Sequence, residues 1–319
     1  PVVSSLVLFA VVASGETGPI LPIGAFVAFH AAFGAFTSAV LSLSGAFTSV
    51  LMAIPLYEQA EPILSALPEV DATKADPGEL TGRIGVEHVT FRYDPEGAPI
   101  LQDVTVRAEP GEFVALVGPS GSGKSTVLRL LLGFETPEAG AILYDDHDLA
   151  EVDVQAVRRQ LGVVLQSGGL MSGDLFTNIV GSSGATHDDA WEAARMAGFD
   201  RDVKKMPMGM HTVVSEGGTT LSGGQRQRLM IARAIVGKPR LLFFDEATSA
   251  LDNHTQATVS RSLEALEATR IVVAHRLSTI QNADRIYVID RGRVVQEGTY
   301  DDLLAVPGLF ADLAARQLA

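Results

Sequence analysis

The sequence predicts an α/β fold built on a largely parallel sheet, preceded by a helix that spans a membrane. Two observations support this prediction. Beyond Thr81, short apolar segments with strand character alternate with helical segments, an order typical of parallel sheets covered by helices. Between Glu16 and Glu58 the chain has no Asp, Glu, Lys or Arg, and a helix of that length would cover a hydrocarbon core of about 30 Å twice.

The apolar N-terminal region is expected to hold part of one spanning helix and the whole of another. Residues 1–13 are about half a span long, and the turn-like residues 14–19 separate them from a long helix at about 20–67. A signal peptide is the alternative for the first segment, which lacks a basic flank. His30 is the one histidine of the run, and we expect packing or the membrane interface to satisfy it. Polar residues and helix breakers at 69–80 predict a linker.

The strands and helices of the second region are predicted from their apolar patterns. Residues 83–93, 113–117, 241–244 and 271–274 have strand character, and residues 124–132 and 226–236 have helical character. The 319 residues therefore suggest two domains, with the soluble one from about residue 81 to the last residue.

Composition excludes several classes of function. The 24 Lys and Arg stand against 38 Asp and Glu, a formal charge of −14, which argues against a nucleic-acid partner. The sequence contains no Cys, so it holds no disulfide, no thiolate zinc site and no cysteine nucleophile.

A phosphate-binding motif follows the strand at 113–117. The sequence Gly118-Pro119-Ser120-Gly121-Ser122-Gly123-Lys124-Ser125 matches G-x-x-x-x-G-K-[ST] in the required strand, loop and helix order. Glycines let backbone N–H groups converge on a phosphate at a helix N-terminus, Lys124 adds a cation for the β and γ phosphates, and Ser125 offers a hydroxyl to Mg²⁺. The dinucleotide alternative fails because no G-x-G-x-x-G is present.

Two acidic residues follow the apolar segment 241–244. Asp245 is placed to hold Mg²⁺, and Glu246 is placed to polarise a water as general base. The alternative is that the two acids only mark the end of a strand in solvent. That alternative does not explain why they follow a run of buried hydrophobic residues directly.

A second glycine-rich segment, Leu221-Ser222-Gly223-Gly224-Gln225, also precedes a predicted helix. The first motif already uses one helix N-terminus for its nucleotide, so the second requires another phosphate. Two head-to-tail copies of the domain would satisfy both, with each nucleotide held between the first motif of one copy and Ser222 of the other.

These motifs, in this order, resemble the nucleotide-binding domain of an ATP-binding cassette (ABC) transporter, over residues 81 to 318. The resemblance implies a P-loop NTPase core with an antiparallel β subdomain and a helical subdomain. It implies ATP and Mg²⁺ as cofactors and ATP hydrolysis as the reaction. By resemblance, Leu221 to Gln225 is the signature motif that clamps ATP bound to the partner domain.

Site residues follow from the same resemblance. Tyr93 matches the aromatic that stacks on adenine, Gln166 the glutamine that senses Mg²⁺ and the attacking water, Asp252 the loop at the dimer interface, and His275 the switch histidine near the γ phosphate. The implied catalytic residues are Glu246, His275 and Gln166. The implied nucleotide contacts are Tyr93, Gly118, Ser120, Gly121, Gly123, Lys124, Ser125, Thr126, Ser222, Gly223, Gly224, Gln225 and Asp252, and the implied Mg²⁺ ligands are Ser125, Gln166 and Asp245.

The fusion of spanning helices to the ATPase is similar to exporters, so residues 1–68 are expected to end a transmembrane domain. The implied partners are a second half-transporter, identical or different, and membrane lipid. The expected location is the inner (plasma) membrane, multi-pass, with a cytoplasmic nucleotide-binding domain. Residues 166–174 and 206–218 resemble exporters of bacteriocin-type peptides with nitrile-hydratase-like leaders, which implies a peptide substrate. A lipid or small hydrophobic substrate is the alternative.

The sequence disfavours two functions outside transport. A chromosome-maintenance ATPase of the cassette type would need a long coiled coil between Lys124 and Ser222, and no heptad run lies there. A P-loop kinase would have no use for the second glycine segment.

Overall fold

The computed structural model describes residues 6–7, 9–10, 22–65, 74–166, 168–215, 221–245, 253–274 and 276–318. The chain divides into two compact units, Pro1–Glu69 and Val70–Ala319. Most of the expected partial helix at 1–13 and part of the expected linker at 69–80 lie outside the described residues.

The first unit contains a long apolar helix, α1 (Ile23–Ser65), of 43 residues, none of them buried. At about 1.5 Å per residue it is long enough to cross a hydrocarbon core of about 30 Å. Among the described residues it is the one helix that is long and apolar enough to do so. Its hydroxyl groups bond within the helix: Thr37 donates to the carbonyl of Phe33, and Thr48 to that of Ser44, both at 2.9 Å. These side chains therefore bring no unpaired polar group into an apolar medium.

The second unit alternates strands and helices as the sequence predicts. Its strands are β1 (Ile84–Phe91), β2 (Leu101–Ala108), β3 (Phe113–Val117), β4 (Ala139–Tyr144), β5 (His147–Asp148), β6 (Leu161–Val164), β7 (Gly173–Asp174), β8 (Val213–Val214), β9 (Leu241–Asp245), β10 (Thr269–Val273), β11 (Arg285–Asp290) and β12 (Arg293–Gly298). Its helices are α2 (Lys124–Leu131), α3 (Val154–Arg158), α4 (Leu175–Val180), α5 (His187–Met196), α6 (Asp200–Lys205), α7 (Gly223–Ile235), α8 (Asn253–Glu264), α9 (Tyr300–Ala305) and α10 (Leu309–Leu318), with short 3-10 turns at Gly209–His211 and Leu277–Thr279.

The central sheet has six strands in the order β12-β11-β3-β10-β9-β6. All neighbouring pairs are parallel except β11 and β12. β3 and β9 are buried along their whole length, which explains their unbroken apolar sequences. The carboxyl ends of β3, β10, β9 and β6 meet at one edge of the sheet, so the loops that follow them lie side by side.

A second, antiparallel sheet has the order β2-β1-β4-β5. Apolar residues of its strands β1, β2 and β4 share one hydrophobic cluster with α2, the helix that follows the phosphate-binding motif at 118–125. This motif is called the P-loop below. The Tyr144 hydroxyl donates to the carbonyl of Leu131 at 2.6 Å and so fixes the end of α2 to this sheet. Burial raises the pKa of this tyrosine.

The helices α4 to α7 share a second hydrophobic cluster, which contains the fully buried Leu175, Phe199 and Leu229 together with Leu242 and Phe244 on one face of the central sheet. A third cluster joins the central sheet to the C-terminal helices through Phe310 and Ala314. The predicted α/β core is therefore extended by an antiparallel sheet and a helical region.

Candidate nucleotide site

The loop after β3 has the geometry of a phosphate cradle. Gly118, Gly121 and Gly123 have φ values of 148°, 77° and 109°, which L side chains rarely adopt. A Cβ on Gly118 would collide with the carbonyl of Ile289, and one on Gly123 would lie 2.6 Å from Leu101 Cδ2. Only glycine therefore fits at these two positions.

Helix α2 begins directly after this loop and has no side-chain cap at its N-terminus. The first N–H groups of a helix have no partner within it, and the helix dipole places positive potential there. Ser120 and Ser125 are exposed beside these groups. A phosphate fits this arrangement because it accepts several backbone N–H bonds at once.

Lys124 is buried with only 4% of its surface exposed, and its ammonium lies inside the loop. Nζ donates to the carbonyl oxygens of Gly118 at 3.0 Å and Pro119 at 2.8 Å. An anionic phosphate oxygen is a stronger acceptor for a cation than a neutral carbonyl. The cation thus lies where an incoming phosphate would meet it.

Tyr93 lies beside the start of α2. Its hydroxyl is 3.4 Å from Thr126 Oγ1, and its ring meets that of Phe91 edge to face at 4.9 Å. The side chain is 53% exposed. An open aromatic ring next to a phosphate cradle offers a stacking surface for a planar base.

Strand register brings two further predicted residues to the same edge. Val164 of β6 pairs with Phe244, so Gln166, which follows β6, and Asp245, the last residue of β9, lie at the ends of neighbouring strands. Asp245 in turn pairs with Val273 of β10, and Val273 pairs with Leu116 of β3. Asp245 is buried, and Gln166 is exposed.

The donors at this edge suit a magnesium ion. Ser125, Asp245 and Gln166 offer a hydroxyl, a carboxylate and an amide oxygen, and Mg²⁺ prefers such hard oxygen ligands. Glu246, Asp252 and His275 lie outside the described residues, so their roles remain predictions.

The second glycine segment forms a capped and exposed helix start. Ser222 Oγ accepts the Gln225 N–H at 3.2 Å, and Gln225 Oε1 accepts the Ser222 N–H at 3.0 Å, which makes a reciprocal capping box. Leu221 is buried, whereas Ser222 and Gly223 are exposed. The first-turn N–H groups of Gly223 and Gly224 have no acceptor within the helix. This is a second place suited to an anion.

The two helices begin from hydrophobic clusters on opposite faces of the central sheet. Val127 and Leu128 of α2 lie in the cluster shared with the antiparallel sheet and with Phe243, whereas Leu229 and Ile231 of α7 lie in the cluster that contains Phe244.

Sequence reasoning missed a buried network next to the predicted Gln166. The Arg233 guanidinium donates to the Asn178 carbonyl and to Asn178 Oδ1, both at 2.6 Å, and to the carbonyl of Gly169 at 3.1 Å. Asn178 is fully buried. It also missed Asp202, which accepts from Gln225 Nε2 and from Arg228. No local pattern signals either contact, because the partners are far apart in the chain.

Comparison with known proteins defines the class of this domain. Residues 101–249 match the family model of the ABC transporter, so this part of the chain carries an ABC transporter domain. The cyclolysin secretion/processing ATP-binding protein CyaB of Bordetella pertussis is 39% identical over 99% of this chain and 45% of its own length. The alpha-hemolysin translocation ATP-binding protein HlyB of Escherichia coli is 38% identical over 90% of this chain and 41% of its own length.

Other relatives differ in what they are named for. A fatty acid ABC transporter ATP-binding/permease protein of Mycobacterium bovis is 38% identical over 94% of this chain and 47% of its own length. The chain thus spans about half the length of the curated relatives it matches. The structure of a bacterial Atm1-family ABC exporter with ATP bound superposes with a TM-score of 0.79 at 32% identity, over 100% of this chain and 57% of that one.

The predicted fold class is confirmed: the second unit has the ABC-type P-loop NTPase fold, and an apolar helix precedes it. The ABC transporter domain and the ATP-binding relatives indicate an ATPase.

Proposed function

We propose that this chain is part of an ABC exporter that hydrolyses ATP between two nucleotide-binding domains to drive export across a membrane. The observation that supports this best is the exposed helix start after Ser222, whose helix packs in a different hydrophobic cluster from the helix that follows the P-loop. A single nucleotide on one chain needs only the first helix start. A dimer in head-to-tail orientation uses both.

In this proposal the P-loop holds the phosphates of each ATP through the N–H groups of α2 and through Lys124. Ser222 and Gly224 of the second copy enclose the same nucleotide from the other side. Ser125, Asp245 and Gln166 would hold Mg²⁺, which when bound offsets the charge of the phosphates. Glu246 takes the proton of the attacking water, and His275 contacts the γ phosphate.

In the closed dimer the two nucleotide-binding domains enclose ATP between them, and in the open dimer they are apart. Export follows if the closed dimer binds ATP more tightly than the open one. ATP binding then shifts the population toward the closed state, and hydrolysis returns it to the open state. We propose that residues 1–68 end the transmembrane domain and that residues 69–80 link it to the nucleotide-binding domain at 81–319. The multi-pass inner-membrane location, with the second unit in the cytoplasm, is part of the same proposal.

A peptide of the bacteriocin type is the proposed substrate. It is supported by the resemblance of the segments at 166–174 and 206–218 and by relatives named for cyclolysin secretion and for alpha-hemolysin translocation. The relative from Mycobacterium bovis, named for fatty acids, favours a lipid as the second candidate. Stimulation of ATP hydrolysis by added leader-bearing peptides, compared with added fatty acids, would separate the two.

A crosslinking experiment tests the dimer directly, because the chain has no native Cys. One preparation of the full chain carries Ser120→Cys and another carries Gly223→Cys, both with Glu246→Gln to slow hydrolysis. Gly223 has open space around its Cβ position, so the new side chain fits. After mixing, oxidation should give a disulfide between the two chains that increases with ATP and Mg²⁺.

The control is Asp312→Cys in place of Gly223→Cys, since Asp312 is exposed on α10, whose buried residues belong to the third hydrophobic cluster and not to the clusters that support the two glycine segments. An ATP-independent yield, or the same yield from the control, would refute the shared nucleotide site.

A further inference from the structure

Asp202 joins the helix α6 to the first turn of α7. One carboxylate oxygen accepts Gln225 Nε2 at 3.0 Å, and the other accepts Arg228 Nη2 at 2.9 Å. The Asp202 side chain is 25% exposed and that of Arg228 is 13% exposed. The contact is therefore largely shielded from water, where a charge-assisted bond is stronger than on an open surface.

The carboxylate fixes which way the Gln225 amide points. An ionised carboxylate only accepts hydrogen bonds, so the amide nitrogen must face Asp202 and the amide oxygen must face Ser222. That oxygen accepts the Ser222 N–H at 3.0 Å, and Ser222 Oγ accepts the Gln225 N–H at 3.2 Å. Neither bond of the capping box uses the hydroxyl proton of Ser222, which is left for a bond to an anion.

The pairing with Arg228 solves an electrostatic problem at the same place. A carboxylate next to the start of a helix competes with any anion that binds there, because both are attracted by the same positive end of the helix dipole. The Arg228 guanidinium balances the Asp202 charge at 2.9 Å. The pair can therefore orient Gln225 without repelling an approaching phosphate.

We propose that Asp202 is a positioning residue for the ATP shared between two chains: through Gln225 it holds Ser222 in the orientation that donates to the phosphates bound by the partner copy. This inference rests on the proposed function, because only a head-to-tail dimer brings a phosphate to Ser222.

The test is Asp202→Asn in the crosslinking pair that carries Ser120→Cys and Gly223→Cys. Gln225 and Arg228 each donate to a different oxygen of Asp202, and in asparagine one of these oxygens becomes an NH₂ donor, so one of the two bonds is lost in this arrangement. Loss of one charge-assisted bond predicts about tenfold more ATP for half-maximal crosslinking. Binding of a fluorescent ATP analogue to the P-loop of the uncrosslinked chain should not change.

The matched control is Asp200→Asn, which removes the same charge from the same helix. The Asp200 side chain bonds to Lys204 of its own helix at 3.0 Å and not to Gln225 or Arg228, so this variant should crosslink at the wild-type ATP concentration. Asp202→Glu keeps both acceptor oxygens and should recover most of the loss. Equal ATP requirements for Asp202→Asn and Asp200→Asn would overturn the inference.

A double-mutant cycle tests whether Asp202 acts through Gln225, and binding of the ATP analogue shows that each variant is folded; if Asp202→Asn does not bind the analogue, Asp202→Ser takes its place in the cycle. If Asp202 acts through Gln225, Asp202→Asn should add nothing to Gln225→Ala, and additive effects would contradict the inference. No ATP-dependent crosslink in the chain with native Asp202 would instead refute the proposed function. The two failures are thus distinct.

Discussion

Asn178→Ala is expected to destabilise the helical region by about 3 kcal/mol. Asn178 Oδ1 accepts from Met171 N at 3.0 Å and from Arg233 at 2.6 Å, and Nδ2 donates to the carbonyls of Met171 at 2.9 Å and Asp174 at 3.0 Å. Alanine removes all four bonds at a fully buried position.

The magnitude follows from the groups that lose their partners. Met171 has a side chain that is 49% exposed, so water can reach its backbone and replace part of what is lost. Arg233 is more confined, and burial lowers the pKa of its guanidinium. Arg233 keeps its bonds to the backbone carbonyls of Asn178 and Gly169, but its Nη2 loses its acceptor. A buried polar group left unsatisfied costs about 1–3 kcal/mol, so this donor and the Asp174 carbonyl together account for about 3 kcal/mol.

Urea unfolding followed by tryptophan fluorescence measures this effect. Trp191 is the one tryptophan of the sequence, and it packs on the hydrophobic cluster of the same region. With a slope of about 2 kcal/mol per molar urea, a loss of 3 kcal/mol lowers the midpoint by about 1.5 M. Asn282→Ala, the same change at an exposed residue, should leave the midpoint within about 0.3 M of the wild type. If Asn178→Ala also stays within that range, the buried network does not stabilise this region.

Three further changes test the phosphate cradle and the antiparallel sheet. Gly118→Ala places a Cβ against the Ile289 carbonyl at a positive φ and should cost about 3 kcal/mol in thermal unfolding, whereas Gly237→Ala, in open space, should be nearly neutral. Lys124→Ala should abolish the rise in melting temperature that ATP gives the wild type, since it removes the cation within the loop. Asp145→Asn should reduce the dependence of the free energy of unfolding on pH in the acid range. Burial raises the pKa of Asp145, but several hydrogen bonds outweigh this effect and hold the pKa below its ordinary value. A lowered pKa gives stability above about pH 4 that is lost as the pH falls further, so an unchanged acid midpoint would contradict this reading.

The P-loop could be predicted from sequence because its determinants are local. The apolar strand predicted at 113–117 is found at Phe113–Val117, and the helix predicted from Lys124 begins there. A fully buried strand reads as an unbroken apolar run, and glycine marks its end. Gly118 and Gly123 have positive φ values, and neighbouring atoms leave no room for a Cβ at either position. Both facts explain why the motif has glycine there.

The second helix start was placed less accurately. The sequence predicts a helix from Arg226, but α7 begins at Gly223. Glycine usually breaks a helix. Here the capping box satisfies the N–H groups of Ser222 and Gln225, and the helix therefore starts at Gly223 and includes both glycines. The S-x-x-Q spacing was the available signal. The Asp202 contact to this box is not readable, since Asp202 and Gln225 lie on different helices.

The hydrogen bonds of Arg233 connect the predicted effect of Asn178→Ala to the candidate nucleotide site. Arg233 belongs to α7, the helix that Ser222 caps, and it donates to the carbonyl of Gly169 at 3.1 Å and to that of Asn178 at 2.6 Å. Gly169 lies three residues after Gln166. A movement of α7 away from the segment that follows Gln166 would break the exposed Arg233 bond to Gly169, and a movement away from α4 would break the two partly buried bonds to Asn178, at a cost of about 1.5–3 kcal/mol each. Arg233 thus links the helix that follows the predicted nucleotide contact Ser222 to the segment after the predicted Mg²⁺ ligand Gln166, and Asn178→Ala should weaken that link as well as the fold.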